Sequence, residues 1–84
     1  MASIKFEYAG KIKKGTFTNG DLVSGKLTVT HNWGLIAPYS VKVSIFNNNN
    51  QLVTPDAQTG ATNSVEIDLT SQGSISGTWG YAIL

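Results

Sequence analysis

The side chains able to do chemistry are few and scattered. His31 is the one imidazole, the carboxylates are Glu7, Asp21, Asp56, Glu66 and Asp68, and the 84 residues include neither cysteine nor arginine. Acid–base catalysis needs two such groups within reach of one reacting atom, and nucleophilic catalysis needs a base beside a hydroxyl or thiol. The carboxylates fall singly on strand edges and at turns, so spacing pairs none of them. A zinc site would have to combine His31 with carboxylates at none of the usual ligand spacings. Neither catalysis nor a resident metal or cofactor is therefore expected. His31 reads instead as the end of a strand, its ring hydrogen-bonded to a neighbouring loop. Glu66 and Asp68 share a strand face and could hold Ca²⁺ if a loop added oxygen ligands. Their simpler reading is the solvated stripe opposite Val65, Ile67 and Leu69.

Binding chemistry is only slightly better represented. Lys11, Lys13 and Lys14 form the one basic cluster, which suits a strand edge guarded against edge-to-edge pairing. A net charge of +1 and the lack of arginine give no field or fork for a phosphate backbone, so nucleic acid is not an expected partner. Gly15, Gly20 and Gly25 recur every five residues without the Lys-Ser/Thr ending of a phosphate loop, and they read as turn glycines. Trp33 and Tyr39 flank loop 34–38. With Asn32 and the run Asn47 to Asn50 they could form a saccharide site, in which a ring face and amide donors meet a sugar.

The elements that must position these residues have a period of two. Ile4, Phe6 and Tyr8 alternate with Ser3, Lys5 and Glu7. Leu27, Val29 and His31 alternate with Lys26, Thr28 and Thr30. Val41, Val43 and Ile45 alternate with Lys42 and Ser44, less tidily at Phe46, and Val65, Ile67 and Leu69 alternate with Glu66 and Asp68. These runs predict half-buried strands. Thr78 to Leu84 sets Trp79, Tyr81 and Ile83 against Gly80, Ala82 and Leu84, apolar on both faces, as in a central or interface strand. A strand at 12–17 is followed by a loop, and Asn47 to Asn50 closes a hairpin into a short strand, Gln51 to Thr54. Further turns are expected at Asn19-Gly20, Pro55-Asp56, Thr59-Gly60 and Asp68 to Gly73. The expected fold is all-β, a small antiparallel sandwich or barrel forming a single domain over residues 1–84, with 1–15 as an N-terminal strand or arm.

Serine, threonine, asparagine and glutamine make up 27 of the 84 residues and charged residues 11, so solubility rests on hydroxyls and amides. No stretch has the uninterrupted apolar core of a signal peptide or the length of a membrane span, so synthesis in the cytoplasm is expected. A chain this short buries roughly 60% of its unfolded surface. Without disulfides, burial against another copy becomes attractive.

From Phe17 to Gly34, and on through Val41 to Phe46, the Asn-rich turn, Val53 to Asp56, Val65 to Leu69 and Ser76 to Trp79, the sequence resembles a small β-module of bacteriophage virion proteins. Its ordered elements are His31-Asn32-Trp33-Gly34, Pro55-Asp56 and Gly77-Thr78-Trp79, and they span residues 16–84. Trp33 stands where that module usually has an aliphatic residue, and the module is expected to stand nearly alone, behind residues 1–15, rather than fused behind a fibre shaft. The resemblance implies a non-enzymatic virion component, a capsid decoration or a tail-fibre accessory, made in the host cytoplasm and assembled as a homotrimer on capsid or tail proteins. Trp79, Tyr81, Ile83 and Leu84 are then expected in the core or between protomers. The alternative is a receptor-binding module for host surface glycan, using Trp33, Tyr39 and Asn32.

Overall fold

The structure is a computed structural model that describes residues 12–84; the expected strand at Ile4 to Tyr8, and Lys11 of the basic cluster, lie outside these residues. The described chain is all-β. Its strands are β1 (Lys13–Phe17), β2 (Lys26–Thr30), β3 (Val43–Phe46), β4 (Leu52–Val53), β5 (Ala57–Gly60), β6 (Ser64–Asp68) and β7 (Trp79–Ile83). They form two antiparallel sheets, one of four strands in the order β1-β7-β3-β4 and one of three in the order β2-β6-β5. Single 3-10 turns at Asn19–Asp21 and Thr70–Gln72 complete the elements.

Alternation decides which side chains meet between the sheets, because successive residues of a strand point to opposite faces. Phe17, Ile45, Trp79 and Ile83 from the four-stranded sheet pack against Leu27, Val29, Val65 and Ile67 from the other, with Leu69 and Ile75 added from the turns. Ile45, Val65, Ile67, Leu69 and Ile83 are completely buried. Burying each such side chain contributes about 1.5–3 kcal/mol. β7 is one of the two inner strands of its sheet, paired on its two sides by β1 and β3.

The turns are closed by short polar side chains. Asn47 Oδ1 accepts the main-chain N–H groups of Asn49 and Gln51, both at 2.9 Å, which folds β3 back into β4. Asp68 accepts from the Thr70 amide at 2.9 Å and from the Thr70 hydroxyl. Asp56 takes the Ser71 amide at 2.8 Å and the Ser71 hydroxyl at 2.7 Å, so the entrance to β5 is tied to the turn that follows β6.

Two expectations need correction. The predicted strand at 41–46 begins at Val43, although Lys42 and Leu84 extend the pairing by exchanging two main-chain hydrogen bonds of 2.9 Å. Thr59-Gly60 is not a turn but the end of strand β5. Gly60 serves close approach there, since a Cβ would lie 2.7 Å from the Tyr39 carbonyl oxygen. The segment so admitted runs along β5, where the Gln58 side-chain amide donates to the Val41 carbonyl at 3.0 Å.

Candidate interaction surface

With Trp79 and Ile83 turned into the core, strand parity turns Gly80 and Ala82 outward, and Leu84 follows them. The cross-strand register then fixes the rest of that outer face. Lys14, Ala82 and Ser44 form one row; Thr16, Gly80, Phe46 and Leu52 form the next. At the far end, Ile12 lies on the parity of Lys14, and Leu84 is bonded to Lys42. Four of the six exposed large apolar side chains among the described residues therefore collect on one side of the molecule: Ile12 is 53% exposed, Phe46 36%, Leu52 68% and Leu84 46%, while Val23 and Ile36 lie outside this sheet. Gly80 and Ala82 contribute almost no side chain between Phe46 and Lys14, leaving an open cleft of about 490 Å³ floored by β7.

The charged side chains of this face all have one sign. Lys14 and Lys42 lie on it, and β1, β3, β4 and β7 contain no carboxylate. The outer face of the three-stranded sheet differs in kind. Its rows are Lys26–Asp68–Ala57, Thr28–Glu66–Thr59 and Thr30–Ser64, a hydroxyl-rich surface with two carboxylates and one lysine. The Thr70 hydroxyl and amide hold the Asp68 carboxyl below its ordinary pKa, with Lys26 opposite adding to the effect. Glu66 and Asp68 are thus the expected polar stripe opposite Val65, Ile67 and Leu69.

The sequence-derived contact residues are divided by this geometry. Trp79 and Ile83 are buried in the chain's own core, where the Trp79 ring meets Phe17 at 6.1 Å. Tyr81 is half-buried, its ring lying over Gly15 and 6.5 Å from Phe17. Leu84 alone of the four is exposed on the outer face. Phe46 and Leu52 went unmarked by sequence reasoning. The available signal was the break in alternation at Phe46, an aromatic on the polar parity of its strand.

Trp33, Tyr39 and Asn32 lie in the long connection from β2 to β3. Its first part is held by the turn before β6: His31 and Asn32 donate their amides to the Asn63 carbonyl at 2.8 and 3.0 Å, and Gly34 donates to Asn63 Oδ1 at 2.9 Å. Trp33 is half-buried and stacks on the His31 ring at 4.7 Å. Tyr39, also half-buried, packs by its own backbone against Gly60, while Asn32 is exposed with φ 58°. Trp33 and Tyr39 are thus anchored to different neighbours. Among the described residues no three of His, Cys, Asp and Glu gather closely enough to hold a metal ion.

His31 is buried, and its Nδ1 accepts the Trp33 main-chain N–H at 3.0 Å. That bond places the ring proton of the neutral imidazole on Nε2, which is buried without a hydrogen-bond partner. Burial pushes the imidazole below its ordinary pKa, opposed in part by the Ser64 main chain. An unfolded histidine titrates near about 6.5. Between that value and the lower folded one, the unfolded chain binds more protons, so stability falls as pH drops below about 6.5. The urea midpoint of the wild type should therefore decline from neutral to mildly acidic pH. In His31→Leu, which removes the one histidine, the midpoint should be nearly level over that interval. Parallel slopes in the two proteins would refute the assignment.

Comparison of the chain with known protein families, curated proteins and solved structures finds no match.

Proposed function

We propose that the chain is a non-enzymatic assembly protein that acts by packing the outer face of its four-stranded sheet against another protein surface, in the first instance a further copy of itself. The observation that carries this reading is the exposure of Ile12, Phe46, Leu52 and Leu84 on one face, which also holds a cleft lined by Phe46 and floored by Gly80 and Ala82. Apolar side chains scattered singly over a surface need no explanation, whereas a contiguous set is the mark of an interaction site. The resemblance of residues 16–84 to a phage virion module supports the setting, a structural component of a bacteriophage particle on its capsid or tail.

The reading predicts self-association of the wild type at micromolar concentrations, measured by light scattering. Leu52→Asp sits on an exposed position of the proposed contact and should weaken that association at least about tenfold, the scale of a contact residue at an interface. Its urea midpoint should stay near that of the wild type. A wild type that remains monomeric into the millimolar range would refute the reading.

A further inference from the structure

We propose that the partner of the apolar, lysine-bearing face is the opposite, threonine-rich and acidic face of a second copy, so that the chain assembles head to tail. The inference rests on the assembly reading above and names the surface that completes it.

Charge separates the two candidate arrangements. Packing two copies through the same four-stranded face would bring Lys14 and Lys42 of both molecules together over strands that contain no carboxylate side chain. Like charges at a shared interface cost free energy and disfavour that pairing. The outer face of β2-β6-β5 offers what the first face lacks. Glu66 stands at its centre, flanked by Thr28 and Thr59, and has no ion-pair partner among the described residues. Asp68 adds a second carboxylate beside it, held ionised by Thr70, so the two carboxylates outnumber the one lysine of this face, Lys26. The threonine side chains carry methyl groups on which Phe46 and Leu52 can rest. Apolar cover and opposite charge are thus both available from the same surface of a neighbour.

The consequence for the assembly follows from the sandwich. The two outer faces lie on opposite sides of the molecule because the sheets stack face to face. Each contact therefore leaves one unused face at either end of the pair, and the next copy adds there. A contact between unlike surfaces closes into a ring only if its rotation brings the ends together. Faces on opposite sides of a thin molecule favour an open stack over the closed trimer expected from the resemblance.

The test uses the full chain in three forms: wild type, Phe46→Asp to disable one face, and Glu66→Lys to disable the other. Both positions are exposed, and circular dichroism matching the wild type shows that the fold is kept; Leu52→Asp replaces Phe46→Asp if it does not. In sedimentation velocity the wild type should form a series of species whose average mass keeps rising with concentration. Each variant alone should stay monomeric. Mixed in equal amounts, they should form dimers and nothing larger, because one live face remains on each. A wild type that levels off at a dimer overturns the head-to-tail arrangement but leaves the assembly reading intact, and one that levels off at a larger closed size overturns the open stack. Variants that remain monomeric when mixed, under conditions where the wild type associates, overturn the head-to-tail arrangement and leave the assembly reading intact. A wild type that never associates removes both.

Discussion

Replacing Trp79 by alanine should leave the chain largely unfolded at 25 °C, with the far-ultraviolet signature of the sheets lost and no cooperative urea transition. Trp79 opens an inner strand of the four-stranded sheet, is 7% exposed and meets the Phe17 ring in a tilted contact. Its indole N–H donates to the Ser76 carbonyl at 3.1 Å, which ties the approach to β7 onto the strand itself. Truncating a buried aromatic to alanine costs about 3–5 kcal/mol. After the conformational entropy of folding is subtracted, a chain of this size keeps a net margin on the order of 5 kcal/mol. The substitution therefore removes most or all of the margin. Leu84→Ala is the matching control: Leu84 is half-exposed on the outer face, and its truncation should move stability by no more than about 0.5 kcal/mol. If Trp79→Ala kept the urea midpoint and changed only the mass of the assembly, Trp79 would belong to an intermolecular contact and its place in the core would be wrong.

Gly60→Ala should destabilise by about 1–3 kcal/mol, the cost of forcing a methyl group into a packed site. The added Cβ would lie 2.7 Å from the Tyr39 carbonyl oxygen and 2.8 Å from Tyr39 Cβ, so main chain and not a movable side-chain tip would have to give way. The segment around Tyr39 would lift from β5, and the bond from Gln58 to the Val41 carbonyl would stretch with it. Hydrogen exchange should report faster exchange of the β5 amides and little change in β7, alongside the lowered urea midpoint. Gly15→Ala is a useful contrast, because its Cβ meets the far end of the Tyr81 ring, a side chain that can swing aside. Equal losses at Gly15 and Gly60 would contradict the distinction drawn between main-chain and side-chain crowding.

How far the architecture could be read in advance differs from strand to strand. β2, β6 and β7 carry β-branched or aromatic residues at alternate positions, a pattern that a half-buried strand imposes and a turn does not. The hairpin from β3 into β4 was equally legible, because an asparagine side chain can satisfy the main chain of a tight turn by itself. β5 was hidden. Ala57, Gln58, Thr59 and Gly60 have no apolar alternation, and the segment is a strand because β6 on one side and the chain from Tyr39 to Val41 on the other hold it extended. Tertiary context decided that element, and no local pattern contains it.

The candidate surface was legible in part for a related reason. That β7 is apolar on both faces is visible in its residues, but which face turns inward depends on the strands beside it. The larger set, Trp79, Tyr81 and Ile83, faces the other sheet, and the small set lines the outside. Phe46 and Leu52 become neighbours of Gly80 only through the register of β3 with β7 and β4. Register is a property of pairs of strands. The confinement of Glu66 and Asp68 to one of the two outer faces emerges at the same level and has no counterpart in the order of charges along the chain.

The position of β7 in the sheet also has a bearing on synthesis. Lys13 is paired with Ile83, so nearly the whole described chain separates the two partners. A ribosome would release β1, β2 and β3 well before β6 and β7, the strands that they need, and β7 follows β6 closely. The nascent chain would therefore hold its early strands unpaired until β6 and β7 emerge, a stage at which long-range closure is slow and chaperone capture most effective.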